Sequence, residues 1–340
     1  MLKRSLTPRQ KRLLQAVVQS YIQTAEPVGS GSLAYRNGLD CSPATIRNEM
    51  AELEDHGLLR QPHTSAGRVP SDRGYRLYVD ELMEPIQLLA PEEERIQQGY
   101  SAVPADLDDI LRQTAQVLAG SSRCTAAVSP ARLSEARIRS IQVVPVDIQQ
   151  GLLVVLTDNG IANHHLLRLP RPLSGEELTN LNLYLQGRLR GATCRASLAA
   201  PQDAPPHLAA LLQQIAGLLR HCAEEEERVF VTGINNTLQQ PEFADTRRIR
   251  ALMSLLEHSR QLASWLHGRQ VERVQITIGE ENSLPEMAGC SVVSLVYRIG
   301  GQPAGTIALL GPTRMNYARA VAALEVVAKY LGRVLNKHYG

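Results

Sequence analysis

Between residues 8 and 24 the apolar positions Leu13, Leu14, Val17, Val18, Tyr21 and Ile22 recur in pairs every four residues. That spacing predicts a helix that buries one broad stripe. Thr7 before Pro8 supplies an N-cap with proline at the first helical position, and Pro27 and Gly29 end the run. Ser30 can cap a second, short helix, "GSLAYRNG", which stops at Gly38. After the turn "LDCS", Ser42 and Pro43 open a third helix, "ATIRNEMAELEDHG", closed by Gly57. Ile46, Met50 and Leu53 share one face of it and must point into the core. "LLRQP" at 58–62 has strand character, and "YRLYVDEL" resumes regular structure. The loop "HTSAGRVPSDRGYR" at 63–76 holds three arginines and almost nothing to bury.

Further along, "MEPIQLLAPEEERIQQGYSAVPAD" (83–106) is charged with scattered prolines, the pattern of a linker with some helix. "LDDILRQTAQVLAGSS" predicts a helix and "CTAAVSP" a short buried strand. Residues 138–169 read as three strands, with "TDNG" as a hairpin signal. Those strands fit either a small separate unit or the main sheet. Helices are expected at about 174–190 and 206–227. A long amphipathic helix is expected near 246–267, with Ile249, Leu252, Leu256 and Leu262 on or near one side. The chain closes with strands "RVQITIG" and "CSVVSLVYRI", a "GG" turn, strand "PAGTIALLG" and a helix over 316–337. Antiparallel strands framed by helices predict an α+β fold, and 340 residues suggest two or three domains.

Composition sharpens this picture at one point. Apolar content of 44% with 21% charged residues is ordinary for a soluble globular protein. The net charge of +2 is not spread evenly: residues 1–83 carry 11 Lys/Arg against 9 Asp/Glu, and 84–340 carry 25 of each. The surplus lies with the three helices and the arginine loop, a mild sign of a nucleic-acid partner. "MLKRSLTPRQKRLL" lacks the apolar centre of a signal peptide. No apolar run approaches a membrane span, "GLLVVL" being about the longest, so no membrane partner is expected. Cys41, Cys124, Cys194, Cys222 and Cys290 are scattered without C-x-x-C spacing. They read as inert thiols in a reducing cytoplasm.

Opposite the core face of the third helix lie Ala44 and Asn48, flanked by Thr45 and Arg47. Asn can pair bidentately with adenine and Arg with guanine or phosphate, while Ala and Thr methyls suit a thymine methyl. The helix N-terminus with Ser42 suits a backbone phosphate. Glu49, Glu52, Glu54 and Asp55 lie mostly further along. Helix spacing alone leaves two readings open, a solvated three-helix cap and a DNA-binding helix–turn–helix. The order of three helices, a strand and a glycine-rich basic loop is that of a winged helix, with the loop as the wing. Small residues there let the backbone approach DNA, and Arg68, helped by Arg73 and Arg76, supplies charge to phosphate or to the minor groove. The candidate DNA contacts are therefore Ser42, Ala44, Thr45, Arg47 and Asn48 on the helix. In and after the loop they are His63, Thr64, Ser65, Arg68, Arg73, Tyr75 and Arg76.

Catalytic chemistry finds no support. His164 and His165 are neighbours that a strand points to opposite sides. His221 and Cys222 on a helix point about 100° apart, a poor nucleophile–base geometry. "GRVPSDRG" lacks the lysine and spacing of a P-loop, and H-E-x-x-H, G-x-S-x-G and paired carboxylates are missing. The sequence predicts no enzyme, and neither a cofactor nor a metal.

Three long segments carry a resemblance: "LTPRQKRLLQAVVQSYIQTAEPVGSGSL", "SPATIRNEMAELEDHGLLRQPHTSAGRVPSDRGYRLYVD" and "GPTRMNYARAVAALEVVAKYL". They are collinear with, and closely resemble, the heat-inducible transcription repressor family, HrcA, most densely in residues 5–80. The resemblance implies a homodimeric repressor that binds an inverted-repeat operator in double-stranded DNA upstream of chaperone operons. It also implies a group I chaperonin that keeps the repressor active. The implied layout is a winged helix at 1–82 and a linker at 83–106. A GAF-like α+β domain follows at 107–135 and 227–340, with a small dimerisation domain inserted at 136–226. No polar constellation marks a ligand site in the GAF-like part, so a pocket filled by side chains is favoured over a small-molecule effector. The competing function is a GAF-type small-molecule sensor whose winged helix makes protein contacts. A gel shift with an inverted-repeat duplex separates the two.

Overall fold

A reciprocal cap starts the first helix, α1 (Pro8–Thr24). Thr7 Oγ1 accepts from the Gln10 N–H at 3.2 Å, and Gln10 Oε1 accepts from the Thr7 N–H at 2.9 Å. This leaves fewer orphan donors at the helix end. The computed structural model describes residues 6–34, 41–64, 66–101, 106–130, 137–158, 162–193, 208–225, 228–268 and 273–339. Next in the bundle, α3 (Pro43–Asp55) packs between α1 and α2 (Ser30–Ala34), burying Leu13, Leu14, Val17, Leu33, Ile46 and Leu53 in one cluster. The rest of the expected second helix lies outside the described residues. Two short antiparallel strands follow, β1 (Leu59–Arg60) and β2 (Val69–Pro70), with Leu59 opposite Pro70 and Arg60 opposite Val69. Then α4 (Asp72–Leu77) runs into a π-helical turn, Tyr78–Leu82.

The segment read as a linker carries α5 (Ala90–Gln98), and it is docked rather than free. Ile96 and Tyr100 are buried. The Tyr100 hydroxyl donates to Thr114 Oγ1 at 3.0 Å on α6 (Leu107–Ser122). After β3 (Thr125–Ser129) come β4 (Ile138–Pro145), β5 (Gln150–Thr157) and β6 (Ala162–Arg168), which make a three-stranded antiparallel sheet of their own. Its inner residues Ile141, Val143, Leu153, Val155 and Leu167 pack on α7 (Gly175–Leu189) and α8 (Ala209–Glu225). Of the two placements open to 138–169, the separate sheet is the one adopted. The Asn–Gly turn expected between β5 and β6 lies outside the described residues.

The remaining elements are β7 (Phe230–Thr232), α9 (Ile234–Leu238), α10 (Thr246–Glu257), α11 (Ser259–His267), β8 (Gln275–Ile278), β9 (Cys290–Ile299), β10 (Gln302–Pro312) and α12 (Tyr317–Tyr339). They complete a second sheet in the order β7-β3-β10-β9-β8, every pair antiparallel. Both faces are covered, so β10 is apolar at consecutive positions. Ile307 and Leu309 join the core on the α6 and α12 side, while Ala308 and Leu310 pack with Leu252, Leu255, Leu262 and Leu266 of α10 and α11. The single helix expected over 246–267 is broken at His258, which has φ −91° and ψ 68°. Its ring Nδ1 lies 2.6 Å from the Ser254 carbonyl oxygen. A side chain competing for a helix carbonyl is a local event that hydrophobic periodicity does not register.

One apolar cluster runs from α1 through α4 to α12, so the N-terminal helices are anchored to the large sheet. The Tyr75 and Tyr317 rings sit 6.0 Å apart. Arg76 donates from Nη2 to the Ile276 carbonyl at 2.7 Å and from Nε to Glu281 Oε1 at 2.8 Å. Asp72 Oδ2 accepts from the Glu280 N–H at 3.2 Å. Next to it Gly279 has φ +54°, and a Cβ there would lie 1.7 Å from Asp72 Oδ2. The left-handed conformation favours glycine, and a side chain here would displace the Asp72 carboxylate. On the other side Arg314 donates to the Ile22 carbonyl at 3.2 Å and to Gln240 Oε1 at 2.7 Å, and pairs with Glu242. Among the described residues no helix is long and apolar enough to cross a membrane.

Candidate nucleic-acid interface

Ser42 caps α3, its hydroxyl accepting from the Thr45 N–H at 3.2 Å and lying 3.0 Å from Thr45 Oγ1. With Ile46, Met50 and Leu53 turned inward, Ala44, Arg47 and Asn48 are left exposed on the opposite face. Thr45 is half-buried, its hydroxyl tied into the cap. The acidic residues that follow would repel a polyanion if they faced outward, but three of the four have partners. Glu49 is buried and pairs with Arg9 on α1. Glu52 accepts from Gln10 Nε2 at 2.8 Å. Glu54 accepts from the Gln61 N–H at 3.0 Å. These ties also fasten α3 to α1 and to the hairpin loop.

The loop between β1 and β2 has its own internal fastenings. Gln61 Nε2 donates to the carbonyls of Thr64 and Ala66, both at 3.0 Å, and the Ala66 N–H donates to the His63 carbonyl at 2.9 Å. Arg68 exchanges two backbone hydrogen bonds with Val28, each 2.9 Å, which draws the loop against the start of α2. At neighbouring Gly67 a Cβ would come within 2.4 Å of the Val28 carbonyl oxygen, so only glycine allows this approach. A cleft of about 460 Å3 remains between these parts, lined by Gly29, Ser30, Arg47, Gln61, Thr64 and Arg68 among others.

Of the expected contacts, Arg47 on α3 and Thr64 and Arg68 on the loop line this cleft, while Ser42, Ala44, Thr45 and Asn48 occupy the cap and first turns of α3. His63 is exposed on the same loop. Arg68 is not extended from it: its side chain is 19% exposed, and Nε lies 2.8 Å from Glu54 Oε2, in poor alignment for a hydrogen bond. Three residues lie elsewhere. Arg73 is exposed with its guanidinium against Gly57, beyond the far end of α3. Tyr75 is in the core, where burial pushes its phenol well above the ordinary range. Arg76 is committed to Glu281, Asp80 and the Ile276 carbonyl. Ser65 lies outside the described residues. Gly29, Ser30 and Gln61 belong to the cleft although sequence reasoning did not single them out. Nothing in the local pattern brings residues 28–30 beside 68; a long-range pairing does.

Elsewhere, His164 and His165 stand opposite Val154 and Leu153 on β5, and so face opposite sides of that sheet. Cys194 and the side chains of His221 and Cys222 lie outside the described residues. Burial pushes the Cys124 and Cys290 thiols up to about 11, so both are protonated at neutral pH. Among the described residues no three His, Cys, Asp or Glu come together in a way that could hold a metal ion.

A family model described as the HrcA protein C terminal domain matches residues 108–321. The heat-inducible transcription repressor HrcA of Moorella thermoacetica is 38% identical, covering 97% of this chain and 98% of its own. That of Symbiobacterium thermophilum is 37% identical over 96% and 98%. A crystal structure of a hypothetical protein superposes with a TM-score of 0.60 at 25% identity, covering 98% of both chains. With capped α3 and its cleft beside a matched C-terminal region, and with identity above a third along nearly its whole length, the chain belongs to the HrcA family of heat-inducible transcription repressors.

Proposed function

We propose that the chain represses chaperone operons as a homodimer, each protomer placing α3 in the major groove of one half of an inverted-repeat operator. One observation carries this reading. Ala44, Arg47 and Asn48 stand exposed together on a capped helix whose acidic residues, Asp55 apart, are engaged by other groups. In this reading residues 1–82 form a winged helix with the 61–68 loop as its wing. Asn48 and Arg47 read base edges, and Ser42 and the first turn of α3 receive a phosphate. His63 and Thr64 approach the sugar–phosphate chain. Arg68 shapes the wing through Val28 and Glu54.

Residues 83–106 dock on a GAF-like domain built from 107–135 and 227–340, and 136–226 form the inserted dimerisation domain. The apolar cluster beneath α10 and α11 supports a scaffold role for the GAF-like part. The outer face of the β4–β6 sheet supports the dimer. Val144, Leu152 and Leu166 form one row across its three strands. Val146 and Ile148, in the turn after β4, are exposed apolar residues too, Ile148 at 72%. A patch of this kind marks an interface, and a two-fold axis lets it cover itself. Heat lowers the population of the folded, DNA-competent dimer, and a group I chaperonin restores it.

Fluorescence anisotropy of the full chain tests this on DNA from upstream of a chaperone operon. Binding should exceed that to random duplex by at least a thousandfold at physiological salt, decline on warming, and return when chaperonin and ATP are added. Equal affinity for the two duplexes would sink the proposal.

A further inference from the structure

We propose that a cleft between α5, α6 and α12 binds a small phosphate monoester through Arg95, Arg123 and Arg319. This site is separate from both the α3 face and the sheet side covered by α10 and α11. Its volume is about 320 Å3, and Leu88, Ile96 and Val117 contribute an apolar floor. Ligand pockets run from roughly 300 to 1,000 Å3, so the occupant is compact.

The three arginines reach the cleft from three places. Arg95 comes from α5, Arg123 from the residue that ends α6, and Arg319 from the first turn of α12. One lining carboxylate, Glu92, stands among them, and Arg319 pairs with it. Arg95 and Arg123 are exposed, and their guanidiniums make no hydrogen bond or ion pair among the described residues. Three guanidiniums against one carboxylate favour a dianion, and a phosphate can take paired N–H donors from each.

Arg123 also has φ 57° and ψ 29°, the left-handed position after a helix that glycine or asparagine ordinarily takes. A plainer role exists for two of the three. Cations near the carbonyl end of α6 offset its dipole, and Arg319 Nη2 lies 3.4 Å from the Ser121 carbonyl oxygen there. That role does not account for Arg95, which enters the same cleft from another helix. Nor does it account for the bare wall at Gly120, where a Cβ would meet nothing within 4 Å. A ligand here ties α5, which follows the N-terminal helices, to α6 and α12.

Isothermal titration of the full chain with phenyl phosphate, and separately with inorganic phosphate, tests the site. One saturable site per chain is expected, with phenyl phosphate at least tenfold tighter because its ring meets the apolar floor. Arg95→Gln combined with Arg123→Gln should weaken binding at least tenfold with the chain still folded, since neither guanidinium makes a hydrogen bond or ion pair among the described residues. Gly120→Leu, which fills the cleft from a helical position where a Cβ meets nothing within 4 Å, should abolish binding while the chain stays folded. Three results would each overturn the proposal: no saturable binding, wild-type affinity in either variant, or equal affinity for inorganic phosphate.

Discussion

Asn48 stands exposed on α3 with its amide unengaged among the described residues, so it can meet an adenine edge as donor and acceptor together. Asn48→Ala should cost roughly 1–3 kcal/mol of operator affinity and relax preference at one base pair. Anisotropy titrations across single-base-pair operator variants measure this, and the melting temperature should not move. Arg68 calls for the opposite kind of change. Its guanidinium rests against Glu54, whose carboxylate offsets its charge. Glu54→Gln should free that charge, tighten binding to every duplex and steepen the salt dependence by about one. A salt slope identical to wild type would mean that Arg68 acts on the loop alone.

At the level of elements, α4 is the joint between the N-terminal helices and the large sheet. Asp72 and Arg76 on its outer turns meet the 276–281 segment, and Tyr75 on its inner side meets Tyr317. Gly279→Ala should weaken this joint, because the left-handed backbone is strained for alanine and the methyl group would push the Asp72 carboxylate away from the Glu280 N–H. A loss of about 1–3 kcal/mol is expected, read as a lower melting temperature with faster hydrogen exchange in α4. Protection of α4 equal to wild type would mean that its packing against α12 holds it without the 276–281 contact.

For the whole molecule, the β4–β6 unit buries one sheet face on α7 and α8 and leaves the other open, with the Val144, Leu152 and Leu166 row as its apolar part. Leu166, 66% exposed on that open face, can change without disturbing the inner core. Leu166→Asp should turn the proposed dimer into monomer in sedimentation velocity, with helical circular dichroism intact. Operator affinity should drop at least tenfold, because one protomer engages one half-site and loses the gain from linked binding. A Leu166→Asp protein that still sediments as a dimer would move the interface elsewhere.

Much of this architecture was legible in the chain itself. Thr7-Pro8 and Ser42-Pro43 mark the starts of α1 and α3, and a strand, a glycine pair, a strand and a helix read directly at the C-terminus, because caps, turns and periodicity are local properties. The exposed set Ala44, Arg47 and Asn48 was also legible, since a helix with one apolar stripe fixes what lies opposite. The arginines were not. Arg68, Arg73 and Arg76 share one short stretch and one charge, yet they lie against Glu54, against Gly57 and against Glu281. Arg95, Arg123 and Arg319 are remote in sequence and share a cleft. Charge and spacing fix what a side chain can bind. Only long-range packing decides which partner comes within its few ångströms of reach.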